Sequence, residues 1–110
     1  MPSDIPPLAH IRFTGTIIEW RGPSPFFFIA LPSDLVETVR RAARLASYGW
    51  GVVPVQASVN DTAFTTSLFP KDGGYLLPLK LVVRKNAGVV LGDTVTVDIQ
   101  VAARDGTEDW

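Results

Sequence analysis

The amino-acid sequence predicts a mainly β fold: a small closed or partly closed β-barrel of about six strands with two covering helices. The first observation is that several segments alternate apolar and polar residues, most cleanly residues 94–101, and this period of two is typical of strands with one buried face. The second is that residues 34–46 repeat apolar side chains at helical spacing instead. Because six short strands in a flat sheet would leave two open edges, we expect the sheet to curl.

Length and composition indicate one ordinary globular domain. The chain has 110 residues, of which 46% are apolar, with a net charge of −1 and no cysteine. A chain of this length buries roughly 60–70% of the surface that it exposes when unfolded, which is enough for one core. We expect three parts: a flexible N-terminal leader at residues 1–8, a barrel domain at 9–103 and an acidic tail at 104–110.

The composition also excludes several classes of protein. Without cysteine the chain has no disulfides, thiolate nucleophiles or cysteine zinc sites. A net charge close to zero argues against a surface given over to nucleic acid or membrane. The N-terminal residues show no secretion signal, and the longest apolar run, residues 26–31, is far too short to span a bilayer. We therefore expect a cytoplasmic protein.

The first elements predicted are two strands joined by a turn. Residues 11–17 alternate, and their core face carries Ile11, Phe13, Gly15 and Ile17. Residues 26–31 are apolar on both faces, which predicts a strand covered on both sides. The glycine and the prolines of residues 21–25 interrupt any ladder and predict the turn between the two strands.

A helix follows the second strand. It is predicted to begin near Asp34, which can serve as its N-cap, with Glu37 three residues later in the capping-box position. Its apolar side chains form a buried stripe of Leu35, Val39, Ala42, Ala43 and Ala46. Three arginines lie off this stripe and are predicted to face solvent: Arg40, Arg41 and Arg44.

The second half of the chain is predicted to begin with a β-hairpin. Residues 53–59 alternate, the Asn60-Asp61 pair suits the positive φ values of a tight turn, and residues 63–69 return as the partner strand. Residues 70–74 predict a loop, followed by a short extended segment.

A short basic helix and a last strand complete the domain. The helix is predicted to run from Pro78 to about Ala87, because proline is favoured in a first turn and Gly88 can take the left-handed cap conformation. After a Gly92-Asp93 turn the chain alternates again as far as Val101. We expect the core to contain Ile11, Phe13, Ile17, Phe28, Val55, Val59, Val95, Val97 and Ile99.

No known catalytic or metal-binding constellation is complete in the sequence. His10 is the single histidine, and a catalytic triad would need it to reach a serine held by a rigid scaffold. The carboxylates show no metal-ligand spacing, and Asp72-Gly73-Gly74 lacks the Gly-Lys-Ser/Thr continuation of a P-loop. We therefore predict no catalytic residues and neither a metal nor another cofactor, and an enzyme of unrecognised type stays an open alternative.

The candidate binding residues concentrate between positions 66 and 85. Lys80 and Arg84 are four positions apart, on one face of the predicted helix, whose free N–H groups suit an anion. Ser67 or Thr66 can add a hydroxyl hydrogen-bond donor, and Tyr75 or Trp50 can form an aromatic wall beside the ligand. The predicted anion site comprises Lys80, Arg84, Thr66, Ser67, Lys71, Tyr75 and Trp50. The structural alternative is that Lys80 and Arg84 pair with carboxylates such as Asp93 or Glu19.

Six short motifs also occur in a fixed order along the chain: residues 20–23 (WRGP), 48–51 (YGWG), 66–71 (TSLFPK), 75–80 (YLLPLK), 83–85 (VRK) and 92–95 (GDTV). Together they resemble a bacterial family known as domain of unknown function 1905. The resemblance runs from about Arg12 to Val101, nearly the whole domain. It implies a small β-barrel in a family without an established activity.

These observations favour a non-catalytic binding module for a small anionic molecule. Besides an enzyme of unrecognised type, two alternatives stay open. The first is a protein-interaction or accessory domain, carried by the exposed ends of the strand at 26–31 or by a helix face. The second is single-stranded nucleic-acid binding, which the acidic balance of the chain disfavours. We expect no membrane partner, and a homo-oligomer is compatible with the sequence.

Overall fold

The computed structural model describes residues 7–23, 26–46 and 51–102. Within these ranges the strands are β1 (Ala9–Thr16), β2 (Ile18–Trp20), β3 (Phe26–Ala30), β4 (Val53–Val59), β5 (Thr62–Lys71), β6 (Gly74–Leu79) and β7 (Thr94–Val101), and the helices are α1 (Ser33–Leu45) and α2 (Leu81–Ala87). The prediction of a mainly β fold with two helices is confirmed, but the described residues hold seven strands and not six.

The seven strands in this part of the chain form one antiparallel sheet in the order β1-β7-β4-β5-β6-β3-β2. β5 belongs to both halves of the sheet, since residues 62–68 pair with β4 and residues 69–71 pair with β6. The sheet is curled as a half-barrel whose edge strands, β1 and β2, follow each other in the chain.

Ile17 separates the two edge strands and accounts for the extra strand. Its N–H donates to the carbonyl of Asp93 at 3.0 Å, and its carbonyl accepts the N–H of Gly92 at 2.9 Å. The side chain is fully buried. The chain therefore leaves β7 after Thr16 and pairs with β3 from Ile18 onward. The sequence pattern alternates only as far as Ile17, so it did not predict a separate β2.

The core follows the predicted pattern. All the predicted core residues are buried except Phe13, which is half-buried and packs against the core. Leu8, at the end of the predicted leader, donates its N–H to the Val101 carbonyl at 2.8 Å. The predicted acidic tail lies outside the described residues.

α1 packs on the sheet through most of the predicted stripe, but Val36 takes the place of Leu35 in its first turn. Its buried residues are Val36, Val39, Ala42 and Ala43, whereas Leu35 is only half-buried. Leu35 and Val36 are both apolar and lie about 100° apart on the helix, so the spacing alone does not decide which of them joins the buried stripe. Ala46, immediately after the helix, is buried as predicted.

The capping prediction for α1 was wrong. The helix begins at Ser33, its N-cap is Pro32, and no side-chain hydrogen bond caps it. Asp34 therefore lies within the first turn, where its negative charge interacts favourably with the helix dipole but its side chain does not cap the helix. Glu37 instead accepts hydrogen bonds from Arg40 at 2.8 Å and Arg44 at 3.4 Å.

Both hairpin turns around β5 use positive φ values. Asn60 and Asp61 have φ of 47° and 72°, which confirms the tight turn predicted there. Asp72 and Gly73 have φ of 52° and 81°. The predicted loop at 70–74 is therefore a two-residue turn, and both flanking strands are longer than expected.

α2 begins three residues later than predicted. Pro78 lies in β6, opposite Phe28 of β3. The ladder between β5 and β6 ends at Leu76, so Pro78 has a paired neighbour on one side only, where the missing N–H is tolerated. The helix starts after Lys80 and ends at Gly88, whose φ of 69° gives the predicted left-handed cap. No helix within the described residues is long and apolar enough to cross a bilayer.

Candidate functional site

Three of the predicted site residues line one open cleft. Thr66 and Ser67 lie in β5, and Lys80 lies at the junction of β6 and α2. The cleft has a volume of about 630 Å³. We call it the Lys80 cleft; its other lining residues are Pro54, Val55, Gln56, Thr65 and Ala102.

Lys80 is the charged residue of this cleft. Among the described residues, no carboxylate lines the cleft and Lys80 forms no ion pair. The pairing partners that the structural alternative named are occupied elsewhere. Glu19 lies 3.6 Å from Arg21, and the Asp93 carboxylate accepts the N–H of Val90 at 2.9 Å. The Lys80 ammonium is therefore available to an anion.

Arg84 lies apart from this cleft, although it is four residues from Lys80. Its guanidinium carbon is 3.7 Å from the centre of the Phe27 ring. Its Nε donates a hydrogen bond of 3.2 Å to the Leu79 carbonyl. These contacts direct the Arg84 side chain toward β3. Lys80 precedes α2 and lines the Lys80 cleft, so the two cations do not share a helical face.

The other predicted site residues do not reach the cleft. Lys71 and Tyr75 lie at the β5–β6 turn, at the opposite end of β6 from Lys80, and six residues of strand span about 20 Å. Tyr75 is also buried in the core, and Lys71 is exposed. Trp50 lies outside the described residues.

Two residues that the sequence did not single out extend the Lys80 cleft. Gln56 and Thr65 face each other across β4 and β5, and Gln56 also lies opposite Gln100 of β7. Gln56 and Thr65 also line a second cleft of about 350 Å³, so the two clefts adjoin. The result is a polar track of amide and hydroxyl groups across three strands. Only the pairing register brings these residues together, so the linear sequence carried no signal for them.

Asp98, at the far end of this track, already forms hydrogen bonds with His10 and Arg12. His10 Nε2 lies 2.9 Å from both of its carboxylate oxygens, and Arg12 Nε donates to Oδ2 at 3.1 Å. The hydrogen bond from His10, followed by that from Arg12, lowers the pKa of the Asp98 carboxyl. Its charge is thus already compensated, and Lys80 remains the open charge of the track.

The described residues hold no group of three or more His, Asp or Glu side chains that could bind a metal ion. No buried side-chain nitrogen or oxygen lacks a hydrogen-bond partner within the described ranges. The arrangement of the Lys80 cleft is thus one open ammonium beside hydroxyl and amide groups, which suits reversible binding of an anion.

Comparison with known proteins places the chain among its relatives. No curated protein sequence matches it. A family model described as a domain of unknown function (DUF1905) matches residues 13–99, which is most of the chain and nearly all of the sheet. The chain therefore belongs to the DUF1905 family.

Proposed function

We propose that this protein is a non-catalytic binding module for a small anionic ligand held in the Lys80 cleft. The observation that carries the proposal is the open ammonium of Lys80. Within the described part of the chain it has no carboxylate partner, and no carboxylate lines the cleft that it faces. Thr66 and Ser67 line the same cleft and supply hydroxyl donors. An ammonium and hydroxyls bind phosphate or carboxylate oxygens through charge-assisted and neutral hydrogen bonds.

The geometry implies weak binding. The attraction between an ammonium and a single negative charge about 4 Å apart is about 1 kcal/mol in bulk water and about 4 kcal/mol near a protein surface. Two hydroxyl hydrogen bonds add about 1 kcal/mol each. This sum is about 3–6 kcal/mol before the cost of association, so we expect a dissociation constant in the millimolar range or weaker. The ammonium is exposed, so the affinity should fall as salt concentration rises.

Single-stranded nucleic acid fits this cleft less well than a small anion. Strand binders combine a positively charged groove with a row of stacking rings. The Lys80 cleft holds one cation and no aromatic side chain among its lining residues. The ring cluster of Trp20, Phe26 and Phe69 lies in the other half of the sheet.

The test is a thermal-shift and calorimetric titration with inorganic phosphate at low ionic strength. Stabilisation by a ligand that binds only the folded state is RT ln(1 + [L]/Kd), so phosphate at ten times its Kd should add about 1.4 kcal/mol. Lys80→Gln should abolish this gain. Lys71→Gln, which removes an exposed lysine of β5 away from the cleft, is the matched control and should keep it. Equal phosphate responses in wild type and Lys80→Gln, or none in either, would overturn the proposal.

A further inference from the structure

An apolar groove runs between α2 and the connection from α2 to β7. It has a volume of about 620 Å³ and is separate from the Lys80 cleft, with which it shares no lining residue. We call it the α2 groove; the lining residues that matter here are Phe27, Leu81, Arg84, Lys85, Val90 and Leu91.

Large aliphatic side chains are exposed along this groove. Leu81 is 57% exposed, Val90 64% and Leu91 46%, and Val82 beside them on α2 is 60% exposed. Single exposed apolar residues need no explanation, but a contiguous group marks an interaction surface. The fold does not depend on these outward side chains, because Val83 and Val89 are the residues that bury this segment in the core.

The charged residues lining the groove are both cationic. Arg84 and Lys85 line it, and none of the carboxylates that the structure describes does. Arg84 is already fixed by its stack on Phe27 and its bond to Leu79, so an incoming group would not have to order it. The Nε bond leaves the two terminal amino groups of the guanidinium for a carboxylate.

Together these features specify the occupant. We propose that the α2 groove docks an acidic segment of a partner protein, whose apolar side chains enter the groove while its carboxylates pair with Arg84 and Lys85. This inference is independent of anion binding in the Lys80 cleft.

A second copy of this chain fits the groove less well. A two-fold interface places the same patch on both sides, so Arg84 and Lys85 of each copy would approach those of the other. A membrane surface also fits less well, because a concave groove suits inserted side chains and the chain has a net charge of −1.

The experiment is selection of a displayed random peptide library on the full chain. We expect the recovered peptides to carry two or more aliphatic or aromatic residues together with a net negative charge. A synthetic version of the leading peptide should bind the double variant Leu81→Ser/Leu91→Ser at least tenfold more weakly than wild type. Because both leucines are exposed, that variant should keep the wild-type melting temperature within a few degrees.

Matched variants separate the apolar and electrostatic contributions. Leu45→Ser, which removes an exposed leucine of α1 away from the groove, should leave peptide affinity unchanged. Lys85→Glu should weaken binding about tenfold, whereas Lys71→Glu at the β5–β6 turn should not. The proposal is overturned if no peptide is enriched or if the enriched peptides are basic. It is also overturned if binding survives Leu81→Ser/Leu91→Ser, or if that variant converts a wild-type dimer into a monomer.

Discussion

The Arg84 guanidinium lies 3.7 Å from the centre of the Phe27 ring. Phe27 of β3 is paired with Leu79 of β6, and the Leu79 carbonyl accepts the Nε hydrogen bond of Arg84. Arg84 of α2 therefore contacts both Phe27 and Leu79, which form a cross-strand pair close to the start of the helix. Arg84, which the sequence assigned to the anion site, thus forms a contact between α2 and the sheet.

We predict that Arg84→Ala destabilises the protein by about 1.5–3 kcal/mol. A partly desolvated cation–π contact contributes about 0.5–2 kcal/mol and a hydrogen bond about 1 kcal/mol. Urea unfolding monitored by circular dichroism measures the loss. Lys85→Ala, the neighbouring exposed cation without such contacts among the described residues, should change stability by less than about 0.5 kcal/mol. Equal effects of the two substitutions would contradict the structural role of Arg84.

This contact shows why the site was less predictable than the fold. The motif residues between 66 and 85 are close in sequence, but β6 separates Lys71 and Tyr75 from Lys80 by about 20 Å. Sequence spacing predicted a shared helical face for Lys80 and Arg84, yet the helix begins only after Lys80. Conversely, Gln56 joins Thr65 through strand register, which no local pattern encodes.

The strands themselves were accessible to sequence reasoning because their signal is local. Alternation in β1, β4 and β7 predicted which side chains are buried, and the Asn60-Asp61 pair predicted a tight turn. The predicted element boundaries were wrong where the same residue suits two different local structures. Pro78 suits both a first helical turn and a strand position that has one paired neighbour.

The register of α1 gives a second prediction. Val36 is buried, whereas Leu35 is half-buried. Removing a buried methylene-sized group costs about 0.8 kcal/mol before any cavity cost. We therefore expect Val36→Ala to cost about 2 kcal/mol and Leu35→Ala about 1 kcal/mol, although leucine loses more atoms. Leu45→Ala, at a 67% exposed position of the same helix, is the control for helix propensity and should lie within about 0.5 kcal/mol of wild type. A larger loss for Leu35→Ala than for Val36→Ala would instead place Leu35 in the buried stripe, as the sequence pattern predicted.

Asp98 gives a prediction about pH. Its hydrogen bonds with His10 and then Arg12 lower the carboxyl pKa in the folded state, so the unfolded chain binds the proton more tightly. The resulting stabilisation is present above the unfolded aspartate pKa, about 3.9, and is lost as pH falls through the lower folded value. We expect Asp98→Asn to be less stable than wild type above about pH 5 by up to about 1 kcal/mol, as for other surface ion pairs.

The measurement is the urea midpoint of both proteins between pH 2 and pH 6. The gap between wild type and Asp98→Asn should narrow as the pH is lowered below about 4, because protonated aspartate loses the same interaction. High salt should narrow the gap at pH 6 as well. A gap that stays constant over the whole range would show that the Asp98 charge contributes nothing and that the loss comes from packing alone.

Gly15 gives the last prediction, which concerns how β1 approaches β3. A Cβ atom added at Gly15 would lie 2.6 Å from Cγ2 of Ile29, a fully buried residue of β3. Since Ile29 is fully buried in the packed core, Gly15→Ala should cost about 1–3 kcal/mol through overpacking. Gly74→Ala is the control, because its nearest neighbours would be at ordinary contact distance, 3.7 Å or more. If steric conflict with Ile29 is the cause, Gly15→Ala should cost clearly less in an Ile29→Ala background, and a double-mutant cycle measures that coupling. Additive losses would instead assign the effect to the backbone of β1.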